Sequence, residues 1–239
     1  MLTSPPPLFS ALPKIVTNNR WFAGLDASQQ STLIRSSRGI VLSDGQLAMT
    51  QGQSVRKRRD GLVLLLDGSL KISSTSAAGR EAILSYVHPG QWFGELALLD
   101  GQSRAHDVRS VGASEILIVE PEAFNELMKD ASFARHITEL LAARTRMLLS
   151  LVEDFSMRSA RARTARRIVL LAYDDDTKGT QARKEIFISH DALASMLGMT
   201  RQTLAHQLKL LAAVGAIMQG YSRIAITSMG ALMAEASGT

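Results

Sequence analysis

At 239 residues with 46% apolar content, the chain is long enough for one large or two modest domains, each able to bury a core. It contains no cysteine, which excludes disulfides, thiolate zinc sites, iron–sulfur clusters and cysteine nucleophiles. The formal charge of +5 favours polyanionic partners, nucleic acid or a membrane surface, without choosing between them.

Met1 to Pro13 carries Pro5, Pro6 and Pro7 and no charged stretch ahead of an apolar one, the marks of neither a signal peptide nor a membrane anchor. An extended, proline-rich start is expected. No apolar run approaches the ~20 residues that a spanning helix needs, so a cytoplasmic protein without a membrane partner is expected. Asp26 to Arg35 has the caps and periodicity of a short helix. Between Ile40 and Val119 short apolar runs alternate with Gly45, Gly52, Gly61, Gly68, Gly79, Gly90, Gly94, Gly101 and Gly112, which argues for a compact antiparallel sandwich or barrel. Leu62 to Leu66, Asp67-Gly68 and Leu70 to Ile72 read as strand, two-residue hairpin turn and returning strand. With Ala82 to Val87 and Glu115 to Val119 there are about eight strands, the complement of a double-sheet jelly roll.

Inside this region Gly94-Glu95-Leu96-Ala97-Leu98-Leu99, followed by Arg104, sets a carboxylate and a guanidinium on one short turn. The pair suits a ribose hydroxyl and a phosphate, the guanidinium offering two parallel donors to the anion. An internal salt bridge in an empty cassette is the plainer reading of the same residues.

Pro121 opens a helix, where its missing N–H costs little. From Phe133 to Phe155 apolar residues recur at Ile137, Leu141, Leu148, Leu151 and Phe155, with Arg144 in the one polar slot. That is a coiled-coil seam of about three heptads, and it predicts a parallel homodimer. The alternative is a helix lying on its own sandwich. Asp154 to Ser159 is polar and breaks the seam, so the hinge is placed there. The next helix, Ala160 to Tyr173, buries Ile168 and Leu171 and is expected to turn its arginines outward. The run Arg158, Arg161, Arg163, Arg166 and Arg167, free of acidic residues, would then serve phosphate contacts. Asp174 to Gly179 reads as a loop.

Ser189 is a good N-cap for a helix from Asp191 to Leu197, Gly198 supplies a tight turn, and Thr200 caps a second helix running to about Val214. Leu204, Leu208, Leu211 and Val214 form its apolar face, and Arg201, Gln202, His206 and Lys209 its polar one. Two helices around a tight turn are the shape used to enter a DNA groove. Ala216 to Met218, Gly220 and Arg223 to Ile226 look like a two-stranded wing.

On the motif Gly90-Gln91-Trp92-Phe93-Gly94-Glu95-Leu96-Ala97-Leu98-Leu99 with Arg104, and on the helix-turn-helix from Leu193 to Ile217 behind a seam helix, the chain resembles the CRP/FNR family of regulators from about Trp21 to Thr227. The resemblance implies an α+β fold: an N-terminal jelly-roll (double-stranded β-helix), cyclic-nucleotide-binding-like domain over 1–132, a dimerisation helix and hinge over 133–157, and a winged helix-turn-helix over 158–239. It implies that Glu95 takes a ribose hydroxyl and Arg104 a cyclic phosphate, helped by backbone amides near Gly94 and Glu95, with Leu96 also in the pocket. Cyclic-AMP-binding members follow the arginine with a hydroxyl residue, whereas here Ala105 and His106 follow it. Where those members place threonine and serine against the adenine edge, this chain has Leu148 and Leu149. Buried adenine atoms facing leucine would go unpaired at ~1–3 kcal/mol each. The expected effector is therefore not cyclic AMP in the usual mode; cyclic-di-GMP, another small molecule, weak cyclic-nucleotide binding or no ligand stay open. His106 either contacts a phosphate or base or is a strand residue at the pocket rim. Haem would need an exposed histidine such as His88 or His136, and isolated histidines more often lie solvated on a surface.

By the same resemblance Arg201, Gln202 and His206 occupy base-reading positions, while Thr200, Thr203 and Lys209 grip phosphates. Arg201 suits guanine and Gln202 adenine. Double-stranded DNA is the expected partner, with RNA polymerase following from the resemblance alone. A rival reading is a cyclic-nucleotide-binding signalling module whose C-terminal domain contacts protein. An enzyme is disfavoured, because the chain has no nucleophile–base–acid set, no Walker-type loop and no His-Glu metal spacing.

Overall fold

The structure, a computed structural model, describes residues 12–55, 60–79, 81–173 and 182–238. The proline-rich start and the Asp174 to Gly179 loop lie outside these residues. The chain forms two compact units, Met1–Ala143 and Arg144–Thr239.

The first unit begins with short helices α1 (Lys14–Thr17), α2 (Arg20–Gly24) and α3 (Ala27–Arg35). The Asp26 carboxylate accepts from the Gln29 amide at 2.8 Å while the Gln29 side chain accepts from the Asp26 amide, a capping box. Eight strands follow: β1 (Ser37–Leu42), β2 (Leu47–Met49), β3 (Leu62–Asp67), β4 (Leu70–Thr75), β5 (Glu81–Val87), β6 (Trp92–Phe93), β7 (Asp107–Ser110) and β8 (Ser114–Val119), with α4 (Leu96–Asp100) between β6 and β7. They make two antiparallel sheets, ordered β1-β8-β3-β6 and β2-β7-β4-β5. The unbroken apolar run Leu62 to Leu66 of β3 has a physical reason, since this strand is covered on both faces. Val63 and Leu65 join Leu70, Val108, Ile116 and Ile118 between the sheets. Leu62, Leu64 and Leu66 point the other way, into a second core with Phe22, Leu33 and Phe133.

The expected hairpin at Asp67-Gly68 does not form. β3 already has β8 and β6 on its two edges, and β4 pairs with β5 and β7 in the other sheet. Gly68 (φ +89°) turns the chain from one sheet to the other, and a Cβ there would lie 2.5 Å from the Ala113 carbonyl oxygen.

Helix α5 (Pro121–Leu127) starts on its proline, as expected, and α6 (Ala131–Met157) begins in the first unit and ends in the second. The second unit continues with α7 (Ala160–Ala172), β9 (Glu185–Phe187), α8 (His190–Met196), α9 (Arg201–Ala213), β10 (Ile217–Gly220), β11 (Arg223–Ile226) and α10 (Met229–Ser237). The wing is a three-stranded sheet, β10-β11-β9, rather than a two-stranded one. Ile168, Leu193, Leu204, Leu208, Leu211, Ile224 and Leu232 are fully buried in this unit. Val214, expected on the apolar face, is the exposed C-cap of α9.

Candidate effector pocket and nucleic-acid interface

Gly94 links β6 to α4 at φ +92°, where a Cβ would lie 2.5 Å from Met49 Cε, 3.0 Å from the Gly61 carbonyl oxygen and 3.1 Å from Arg104 Nη1. This close approach places Glu95 and Arg104 in the interior, and both are buried. The two do not form the pair that the sequence suggests. The carboxylate partner of Arg104 is Asp60, with side-chain exposures of 4% and 5%. Arg104 Nε donates to Asp60 Oδ1 at 3.1 Å and Oδ2 at 3.3 Å, and Nη2 donates to Oδ1 as well. Nη2 also donates to the Gly61 carbonyl at 2.8 Å, and Nη1 to the Gly94 carbonyl. Of the five N–H donors a guanidinium carries, these contacts leave one, on Nη1. The Arg104 backbone is held too, its N–H donating to the Gln53 carbonyl at 2.9 Å and its carbonyl accepting from Gly52 at 2.8 Å.

Leu96 and Ala105 are exposed. His106 is half-buried, and burial pushes its pKa below the ordinary imidazole value, so it is neutral at pH 7 and lacks the charge for a strong phosphate contact. Its Nδ1 is shielded from solvent and meets no hydrogen-bond partner among the described residues. Asp60 was not foreseen. The signal was available, in a single carboxylate standing between the basic run Arg56 to Arg59 and an all-apolar strand.

In the second unit the predicted helix-turn-helix is present. Ser189 accepts from the Ala192 amide at 3.1 Å and caps α8, Gly198 turns at φ +59°, and Thr200 accepts from the Thr203 amide at 3.1 Å and caps α9. Arg201, Gln202, Thr203, His206 and Lys209 are all exposed, while Leu204, Leu208 and Leu211 of the same helix are buried; Gln202, His206 and Lys209 lie on the side away from these leucines, and Arg201 is exposed at the first position of the helix. The hydroxyls of Thr200 and Thr203 lie 2.9 Å apart, and Arg201 Nη1 is 3.5 Å from Asp191 Oδ2 on α8.

The seam expectation needs correction at its start. Ile137 is 1% exposed and belongs to the core of the first unit with Phe133 and Leu33, so it is not available to a partner, while Leu141 packs against the same core and is only partly buried. Arg144 and Leu151 are half-buried. The large apolar residues open to solvent on α6 are Leu148 (58%), Leu149 (59%), Val152 (61%), Phe155 (48%) and, at its last position, Met157 (74%). Phe155 also serves its own chain: Arg163 stacks over its ring at 5.1 Å, and its Cε1 lies 3.7 Å from where a Gly198 side chain would begin.

The arginine run is not a phosphate-facing surface. Arg158 Nε donates to Asp154 Oδ1 at 2.7 Å and Arg166 Nε to Asp154 Oδ2 at 2.5 Å. Arg161 pairs with Glu235, and Arg167 is buried. Their acidic partners lie outside the run, on α6 and α10, which is why local sequence concealed them.

Among the described residues no helix is long and apolar enough to cross a membrane, and no three metal-ligating side chains cluster. Residues 39–131 match the cyclic nucleotide-binding domain model, and residues 162–235 match the Crp-like helix-turn-helix domain model. A cyclic AMP receptor protein from Thermus thermophilus is 28% identical over 179 residues, covering 74% of this chain and 80% of the relative. FixK2 from Bradyrhizobium japonicum shares the fold, with a TM-score of 0.70 at 16% identity over 85% of this chain and 98% of that one. The c-di-GMP-responsive global regulator CLP of Xanthomonas campestris does so with a TM-score of 0.62 at 18% identity, over 85% and 100%. With both domain models matched, in this order and on either side of a long helix, the chain belongs to the CRP/FNR family of transcription regulators.

Proposed function

We propose that the chain is a homodimeric, sequence-specific DNA-binding regulator that reads an inverted repeat through α9. The observation that carries this reading is the contrast along α9 between the fully buried Leu204, Leu208 and Leu211 and the exposed Gln202, His206 and Lys209, with Arg201 and Thr203 exposed in its first turn, beside a capped, glycine-turned α8. Arg201 and Gln202 supply donors matched to the major-groove edges of guanine and adenine, and Lys209 supplies charge for a phosphate. Dimerisation uses the exposed Leu148, Leu149 and Val152 of α6, which a second copy would cover. The test is in vitro selection by the full chain from a random duplex library. The expected product is an inverted repeat with half-site centres about 10 base pairs apart. Enrichment of no motif, or of single half-sites only, overturns the reading.

For the sensor domain, the engagement of Arg104 favours a cassette closed on its own Asp60, one that does not take a cyclic phosphate in the usual mode. Only one N–H, on Nη1, is left over, so a phosphate taken by two parallel donors would have to displace the buried carboxylate or a carbonyl, and Ala105 offers no hydroxyl in exchange. One relative is named for cyclic AMP and another for c-di-GMP, so these two ligands are the probes. Calorimetric titration of the wild type with cyclic AMP, cyclic GMP and c-di-GMP is expected to give no tight cyclic-AMP binding. Micromolar cyclic-AMP binding that Arg104→Ala abolishes would overturn this part.

A further inference from the structure

The two arms of the Asp154 carboxylate reach different helices. Asp154 sits on the penultimate turn of α6 with its side chain 9% exposed. One oxygen accepts from Arg158, just past the end of α6, and the other from Arg166, midway along α7. Each guanidinium then goes further. Arg166 Nη2 donates to the Ser150 hydroxyl, one turn back along α6, and Arg158 Nη1 donates to the Ala236 carbonyl at the end of α10 at 2.7 Å. Phe155, the next residue, lies beneath Arg163 of α7 and beside Gly198 in the turn between α8 and α9. All of these residues belong to the second unit. Apolar packing between helices permits small slides and rotations, whereas here each carboxylate oxygen takes one guanidinium N–H and each guanidinium is pinned by a second acceptor elsewhere, which restricts the direction of both helices. The polar stretch read as a hinge is thus braced by its own charges.

We propose that Asp154 is a positioning residue for DNA binding: it fixes the direction in which the DNA reader leaves the last turns of α6 and so, in the dimer, sets the distance between the two readers. This inference rests on the dimeric, DNA-binding reading above. Each base pair added between half-sites moves one site by ~3.4 Å and turns it by roughly a tenth of a revolution, so a rigidly held pair of readers tolerates few spacings.

The experiment measures full-chain binding to duplexes carrying two copies of the selected half-site with the spacing changed by up to two base pairs either way, and to a duplex carrying one copy. The wild type is expected to favour one spacing. Asp154→Ala is expected to flatten that profile, narrowing the ratio of best to worst spacing by about threefold or more, the order of coupling lost when one network is broken. Affinity for the single half-site should be unchanged. Arg166→Gln, which cuts only the α7 arm, should flatten the profile in the same sense and serves if Asp154→Ala does not fold. A uniform loss of affinity at every spacing, or a profile that coincides with the wild type in both variants, shows that the network is merely structural and overturns the inference. Failure of the wild type to bind any two-site duplex overturns the DNA-binding reading, and this inference with it.

Discussion

Removing the Asp60 carboxylate is expected to destabilise the sensor unit severely, because Arg104 has no route to solvent. Both side chains are about 5% exposed, and Asp60 is the only carboxylate among the described residues that accepts from Arg104 in a recorded contact. Breaking a buried pair by deleting one partner costs roughly 3–5 kcal/mol, most of it from the charge left behind. For a unit the size of Met1–Ala143, about 3–4 °C is lost per kcal/mol, so the transition should fall by roughly 10–20 °C. Asp60→Asn keeps an acceptor for Arg104 and for the Gly61 amide, and should cost less than Asp60→Ala. The pair Asp60→Leu with Arg104→Met removes both charges and leaves the Gly61 and Gly94 carbonyls short of a donor at ~1–3 kcal/mol each. The double variant should therefore cost less than the sum of the singles. Thermal and urea unfolding of the wild type, Asp60→Leu, Arg104→Met and the double variant gives the cycle. Single-variant losses under about 1 kcal/mol, or strict additivity, would refute the assignment of this pair as the buried electrostatic centre of the sensor.

Gly94→Ala forces a side chain into a left-handed conformation against Met49 and the Gly61 carbonyl, and should lower stability by roughly 1–3 kcal/mol in urea unfolding. Arg201→Ala should weaken binding to the selected repeat by about 5- to 150-fold, the discrimination that a bidentate contact to guanine supplies, with little effect on scrambled DNA in an anisotropy titration. Val152→Glu, which sets a charge in the exposed stripe of α6, should convert the dimer to monomer in sedimentation experiments. His106 gives a pH prediction with a definite sign. Its folded pKa lies below the unfolded value near 6.5, so the unfolded chain binds the proton more tightly and stability falls as pH drops through about 6.5 toward the folded pKa. His106→Gln should make the loss of stability between pH 7.5 and 5.5 shallower than in the wild type, as followed by thermal unfolding; an unchanged slope would contradict the buried, neutral state of His106.

Periodicity and caps made the helices legible, because Asp26, Pro121, Ser189 and Thr200 act within three residues of themselves. The reader was legible for the same reason: its buried and exposed sides recur every three or four residues along one helix. What escaped was non-local. Asp67-Gly68 has the chemistry of a hairpin, but which sheet receives β4 depends on strands far along the chain. The charges were misjudged in the same way. Arg104 looked like a partner for Glu95, nine residues away, and its real partner is 44 residues away. The arginines of the hinge looked unopposed, because Asp154 and Glu235 belong to other helices. Ile137 fitted a heptad yet was claimed by the core of its own chain, since periodicity identifies an apolar face without saying what covers it.

Titration of the full chain onto the selected inverted repeat, against a scrambled duplex and at several salt concentrations, tests the reading of α9 most directly. Two chains should bind each duplex, the repeat should be favoured by about a thousandfold or more, and affinity should fall steeply and log-linearly with salt. One chain per duplex, equal affinity for the scrambled sequence, or binding indifferent to salt would contradict it.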